Sequence, residues 1–260
     1  MRHAYMHSAS KGGAVAKTTR KARLEEEFLQ GYDPNRYERP SVSVDVAVLS
    51  ARDGALHTVL YRREGPLFAD AFALPGGFVG MNESLDAAAR RLLRDKGGLE
   101  GVFLEQLYTF GAPDRDPRMR VVSVAYYALV DHTRGLAGPG QICRLVVPWE
   151  GETGGPVEAV GPDGDEVEFA FDHADVLGLA VKRIRGKLGY TPIGFQLLPE
   201  SFTLRDLQEV HETVLGREQN KDSFRRRMLQ SGQLEATGER QLGVGHRPAE
   251  LYRFVRRSAI

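Results

Sequence analysis

The stretch GGFVGMNESLDAAARRLLRDKGGL, residues 76–99, decides how the chain is read. Gly76 and Gly77 follow the strand-like run AFALP, and Pro-Gly-Gly predicts a tight turn there. Asn82 or Ser84 can cap the next helix, and Glu83 stands near the positive end of its dipole. Gly97 and Gly98 stop the helix. Upstream, SVSVDVAVLS from Ser41 alternates, ARDG turns and ALHTVLYRR returns, the signal of a hairpin. AFALPGGFV is read as a third strand. Downstream, VFLEQLYTFG and MRVVSVAYYALV are two more strands around the loop APDRDP, and CRLVVPWE is a last one.

Residues 150–175 form a Gly- and Pro-rich insertion with nine acids, no Lys or Arg, and one expected hairpin. DHADVLGLAVKRIRGKLGY, 172–190, is an amphipathic helix with Val176, Leu179, Ala180, Ile184 and Leu188 near helical spacing. TPIGFQLLPESFT is read as a linker carrying two prolines. The text then changes in kind. TLRDLQEVHETVLG is a helix with Leu204, Leu207, Val210, Val214 and Leu215 on one side; REQN connects it to a second helix, KDSFRRRMLQ. Two strands around a Gly-rich loop come next, the order of a winged helix-turn-helix.

At 100° per residue, the second of these helices places Phe224, Met228 and Leu229 on its core side. Ser223, Arg226, Arg227 and Gln230 lie opposite, a face suited to the major groove of double-stranded DNA, where Arg pairs guanine and Gln adenine. Asn220 and Lys221 stand at the helix N-terminus, within reach of a phosphate or base edge. Arg225 points toward the packed side, toward Glu209 or Glu212. Arg240, His246 and Arg247 sit at or near the loop tip, placed for the phosphate backbone. From Ser201 onward there are eleven Lys and Arg against eight Asp and Glu, a net of +3. That excess is modest, so the inference rests on arrangement.

The 260 residues suffice for one large domain or two ordinary ones, and 42% apolar with 27% charged residues fits a globular protein. Lys plus Arg equals Asp plus Glu at 35 each, so total charge gives no pull toward nucleic acid. A single cysteine, Cys143, excludes a disulfide framework; it is expected as a small core residue, in a protein of the reducing cytoplasm. No run approaches the ~20 apolar residues of a membrane span. The basic first 23 residues have no apolar core of a secretory signal and are read as an arm, ordered from Lys21 as a short helix.

Residues 76–99 resemble the Nudix box of nucleoside-diphosphate-X hydrolases, G-x5-E-x7-R-E-u-x-E-E-x-G-u with u aliphatic. Gly77, Glu83, Arg91, Leu93, Gly98 and Leu99 match in register. The family's metal-binding glutamates would fall at 92, 95 and 96, which are Leu92, Asp95 and Lys96 here. Those positions share a helix face, so three carboxylates would converge on Mg²⁺. Leu92 offers no lone pair and Lys96 brings a positive charge. Metal-assisted attack of water on a pyrophosphate loses its support, and no catalytic residue, metal or cofactor is assigned. The cleft can still hold a diphosphate through Arg62, Arg63, Arg91, Lys96 and Arg120, beside Gly76, Gly77 and Phe78. Phe110, Tyr126 and Tyr127 are read as core, and Arg91 also suits an internal salt bridge.

With YTPIGFQLLPESFTLRDLQEVHETVLG, NKDSFRRRMLQSG and RPAELYRF added, nearly the whole chain from Tyr37 resembles NrtR, the Nudix-related transcriptional regulators of NAD metabolism. The resemblance implies a dimeric repressor on a palindromic operator, released by ADP-ribose or a related nucleotide. The expected class is α/β (α+β): an arm with a short helix over 1–36, a mixed-sheet α/β/α Nudix-like domain over 37–190, a linker over 191–200 and a winged helix-turn-helix over 201–260. The helix over 172–190 and the linker are the expected coupling element. The rival reading is an active ADP-ribose pyrophosphatase, with metal ligands such as Glu83, Asp95 and Glu100 and a C-terminal dimerisation domain. A third is an RNA- or protein-binding adaptor.

Overall fold

A computed structural model describes residues 12–134, 139–243, 245 and 247–255. It divides into two compact units, one ending at Arg39 and one beginning at Pro40. The first holds helix α1, Gly12–Gly31, so the helix expected from Lys21 begins nine residues earlier. Ion pairs Lys21–Glu25 and Arg23–Glu27 brace successive turns, and Phe28 packs on Tyr32.

The second unit is built on an eight-stranded mixed sheet. Its axis is β1 (Ser41–Arg52), flanked by the antiparallel β2 (Ala55–Arg62) and the parallel β6 (Val121–Leu129). Outward from β6 lies β5 (Phe103–Phe110), and outward from β2 lie β7 (Gln141–Val146) and β8 (Glu158–Val160). Alternation in β1 sends Val44, Val46 and Val48 to one face and Ala47 and Leu49 to the other. The first set packs under α2 (Leu85–Gly97), the second under α3 (His173–Leu188).

The expected third strand is two. β3 (Phe72–Ala73) pairs with β2, Pro75 breaks the ladder, and β4 (Gly76–Phe78) pairs with β1. Gly76 and Gly77 therefore sit in an extended ladder and not in the expected tight turn. They are small because neighbours press close: a Cβ on Gly76 would lie 2.0 Å from Asp45 Oδ1, and one on Gly77 would lie 3.0 Å from Leu92 Cδ2. Ser84, not Asn82, caps α2, its Oγ accepting from the Ala87 amide at 3.2 Å. Gly98 closes the helix in the left-handed conformation at φ 60°. The acidic insertion adds β8 to the sheet edge and turns back through Gly161–Asp165, which supplies the expected hairpin.

Residues 191–200, expected to be a linker, are not a spacer. Pro192–Leu197 is a 3-10 helix with Ile193, Phe195 and Leu197 buried. Next come α4 (Leu204–Leu215), capped by a Thr203–Asp206 box, and α5 (Lys221–Gln230). β9 (Leu234–Arg240) and β10 (Glu250–Phe254) form the wing, extended by a two-bond bridge between Phe202 and Tyr252. One apolar core runs from Leu49 and Tyr127 in the sheet through Ile184 and Leu197 to Leu207, Phe224 and Tyr252. Cys143 lies fully buried in it, and burial pushes its thiol up to about 11, out of the range of a nucleophile.

Candidate functional site

A cleft of 340 Å³ opens between β4, the end of α2, the loop before β6 and the start of α3. That size suits a small ligand, for which ~300–1,000 Å³ is usual. Of the residues expected to bind ligand, Arg62, Arg63, Gly76, Gly77, Phe78 and Lys96 line it. Arg91 and Arg120 do not. Arg91 donates to Glu83 through Nε at 3.0 Å and to the Phe78 carbonyl through NH2 at 3.2 Å. It thereby clamps the loop before α2, and its guanidinium, with the Gly80 amide, holds Glu83 down to about 2. Arg120 donates to the carbonyls of Ala112 and Val121. Both are engaged with backbone that shapes the cleft.

The three metal-ligand positions diverge. Leu92 is buried under β1 and against Gly77. Asp95 accepts from Arg94 Nε at 3.0 Å and does not line the cleft. Lys96 reaches into the cleft and donates Nζ to the Gly76 carbonyl at 2.5 Å. Burial pushes its ammonium below the usual lysine range, and Arg63 and Arg91 add to that, against Asp45. Among the described residues no three His, Cys, Asp or Glu side chains stand together as a metal cluster. At these three positions the side chains thus do not converge on Mg²⁺: one is hydrocarbon, one faces away and one is a cation.

Sequence reasoning missed the cleft's floor. Asp45, on β1, accepts from Ser123 Oγ and lies 3.4 Å from Arg115 NH2. Arg115 also forks onto Asp172 at 2.9 and 2.6 Å. His173 accepts from the Leu74 amide through Nδ1 at 3.0 Å, which leaves Nε2 3.7 Å from Asp45. Burial lowers the pKa of His173, so the neutral ring with hydrogen on Nε2 fits. No local motif joins these residues; the fold brings together a strand, a loop and a helix start. Of the cleft cations, Arg62 pairs with Asp70 and Arg118 with Asp116. Arg63 and Lys96 have no carboxylate partner among the described residues. Phe171, held at φ 56°, puts its ring 4.9 Å from the Arg63 guanidinium and 5.9 Å from that of Arg118. The cleft thus offers these two cations for an anion and an aromatic face for a ring.

The helix-turn-helix presents a second surface. α5 buries Phe224 and Met228 only; Leu229, expected in the core, is 45% exposed. Ser223, Arg226 and Gln230 are exposed as expected. Asn220 caps α5, its Oδ1 accepting from the Ser223 amide at 3.0 Å, so that oxygen is not free for a base edge. Arg227 turns back, donating to Gln219 Oε1 at 2.9 Å with its guanidinium 5.2 Å from the Phe224 ring. Arg225 is exposed and pairs with neither Glu209 nor Glu212. Glu212 instead accepts from Gln208 and from the Gln219 amide, which fixes the turn. A groove between α4, α5 and the wing is lined by Arg205, Lys221, Arg225, Arg240 and Arg247. His246 lies outside the described residues. If Arg240 and Arg247 meet phosphate, replacing either with Ala is expected to weaken DNA binding uniformly across sequences. The slope of log affinity against log salt should fall by about one for each, measured by fluorescence anisotropy.

His211 on α4 is buried against Phe224, ring centroids 5.1 Å apart, and burial with the charge of Arg227 lowers its pKa to about 4. The folded form resists protonation, so the unfolded chain binds the proton first as pH falls. Stability is fully present above the ordinary value of 6.5 and is lost progressively between 6.5 and about 4, by on the order of 3 kcal/mol. Urea melts at pH 7 and pH 4.5 are expected to show this, and His211→Gln to reduce the difference.

Residues 39–152 match the NUDIX domain family, and residues 194–254 the NrtR DNA-binding winged helix domain. The chain is 37% identical, over 89% of its length and 88% of the relative's, to the ADPR responsive transcriptional repressor NtrR of Acinetobacter baylyi. It is 29% identical to an ADP-ribose pyrophosphatase of Methanocaldococcus jannaschii over 54% of this chain and 73% of that one. The crystal structure of Shewanella oneidensis NrtR complexed with a 27mer DNA superposes with a TM-score of 0.68 at 30% identity, covering 82% of this chain and 93% of that chain. No helix among the described residues is long and apolar enough to cross a membrane.

Proposed function

Since the chain belongs to the NrtR family of Nudix-related transcriptional regulators, we propose that it is a repressor of NAD metabolism released from DNA by ADP-ribose bound in the cleft. The observation that carries this reading is Lys96 on the Gly76 carbonyl, a fixed cation where a hydrolase of this fold family keeps a carboxylate for metal. Lys96 and Arg63 would neutralise the diphosphate with no metal, and Phe171 offers a face for the base or ribose. Occupancy without cleavage is then the signal. The ligand-binding set we favour is Arg62, Arg63, Gly76, Gly77, Phe78 and Lys96, with Arg115 and Arg118 added. On the reader, α5 enters the major groove with Ser223, Arg226 and Gln230, and Arg205, Lys221, Arg225, Arg240 and Arg247 follow the phosphates. Two copies would place their α5 helices one DNA turn apart, about 34 Å, on a palindrome.

The test titrates ADP-ribose in EDTA by calorimetry and follows release of a duplex taken from upstream of the chain's own gene. Binding that survives EDTA, with release of DNA, is expected. Turnover of ADP-ribose at about 1 s⁻¹ or faster with Mg²⁺ or Mn²⁺ would instead favour the hydrolase.

A further inference from the structure

The two surfaces are joined by one buried cation. α3 begins in the cleft, where His173 lines the wall and Asp172 holds Arg115. Arg185 lies twelve residues further on, about 18 Å along the axis. It is 7% exposed and, among the described residues, has no carboxylate within ion-pair distance. Its guanidinium donates only to backbone carbonyls, and these come from both halves of the molecule. Nε donates to Val214 at 2.8 Å in the last turn of α4; NH1 donates to Trp149 at 3.1 Å and to Gly151 at 3.0 Å in the loop after β7. The Trp149 ring lies 4.7 Å from the guanidinium carbon. A Cβ on Gly216, the left-handed cap of α4, would stand 3.1 Å from NH2, so the reader's turn is cut to fit this side chain.

A buried cation that loses its acceptors is costly, and among the described residues no carboxylate is paired with Arg185 in their stead. The end of α4 therefore moves with Arg185 wherever α3 carries it. The turn after α4 is fastened to that helix, and α5 to the turn: Glu212 accepts from the Gln219 amide at 2.7 Å, and Arg227 of α5 donates to Gln219. The carbonyl end of α4 also carries the negative pole of its dipole, which suits a cation there.

We propose that Arg185 is the positioning residue that transmits occupancy of the cleft to α5, by pinning the C-terminus of α4 to α3. This rests on the reading of the cleft as a nucleotide site and of α5 as the DNA reader. Arg185 touches neither ligand, so its removal is expected to leave each binding event standing and to uncouple them.

The experiment measures ADP-ribose affinity with and without the upstream duplex, and duplex affinity with and without ADP-ribose, for the full chain and for Arg185→Met and Arg185→Lys. In the wild type the two ratios must agree, and coupling typically runs 5- to 150-fold. Both ratios are expected to fall to within about twofold of one in Arg185→Met, with each separate affinity within about threefold of wild type. Arg185→Lys keeps the charge but has no fork to span both sets of carbonyls, and an intermediate ratio is expected. It also serves should Arg185→Met fail to fold. Coupling unchanged in Arg185→Lys and in any folded Arg185→Met overturns the proposal. Loss of duplex affinity with the ratio intact overturns it too, since that is a structural role only. A wild type that binds ADP-ribose and DNA with no mutual effect overturns the functional reading first, and this one with it.

Discussion

Lys96→Glu is expected to weaken ADP-ribose binding about a thousandfold in EDTA. The wild-type ammonium sits in the cleft on the Gly76 carbonyl, partly stripped of water and without a carboxylate partner among the described residues. Removing its charge-assisted bond to a phosphate oxygen costs ~1.5–3 kcal/mol, and a carboxylate facing a diphosphate adds a like-charge penalty. About 4 kcal/mol together is a factor near a thousand. The same exchange creates a hard oxygen ligand beside the Gly76 carbonyl, so millimolar Mg²⁺ is expected to restore part of the affinity in the variant and to change little in the wild type. Hydrolysis should not return, because Leu92 still fills the neighbouring position with hydrocarbon. Calorimetry in EDTA and in Mg²⁺ reads the result; an unchanged affinity in EDTA would mean that the diphosphate lies elsewhere.

The second large effect belongs to the reader. Arg226→Ala with Gln230→Ala is expected to cost about 4 kcal/mol of specific DNA binding, close to a thousandfold, from ~1–3 kcal/mol for each contact. Both side chains are exposed on α5, and neither has an intramolecular partner among the described residues, so their loss should leave the fold intact. Arg227, which the sequence alone ranks with Arg226, is committed to Gln219 and the Phe224 ring, and its replacement should disturb the turn as well as the DNA. Circular dichroism and ADP-ribose affinity should match wild type in the double variant. A gel shift of wild-type strength from a folded double variant would remove α5 as the reading helix.

The sequence carried the order of elements because strand alternation, Gly stops and helical spacing are local signals. Where it failed, the cause was contact between distant residues. Gly76 and Gly77 look like a turn, yet they are extended and are glycine because Asp45 and Leu92 crowd them from other elements. The two prolines of 191–200 suggest a spacer, but the apolar residues between them fill the core. Leu229 follows the helical period of a core position, although α5 is anchored only by Phe224 and Met228. The arginines beside the Nudix box were legible by charge; which of them face the cleft was not. Arg91 is spent on Glu83, while Arg115, in a loop, and His173, at a helix start, reach the cleft floor only through the tertiary fold. Arg185 lies among the polar residues of its helix and gave no signal at all.

The unbroken apolar core restricts how the molecule can respond to a ligand. Among the described residues the 3-10 helix lies buried between sheet and α4, which leaves no loose strap there about which the reader could swing. The motion left to it is shear: packed helices sliding on one another by an ångström or two while side chains keep their neighbours. Such a displacement is small at its source, and in the proposed dimer a long duplex spanning two readers would register it mainly as a mismatch in the distance and tilt between them.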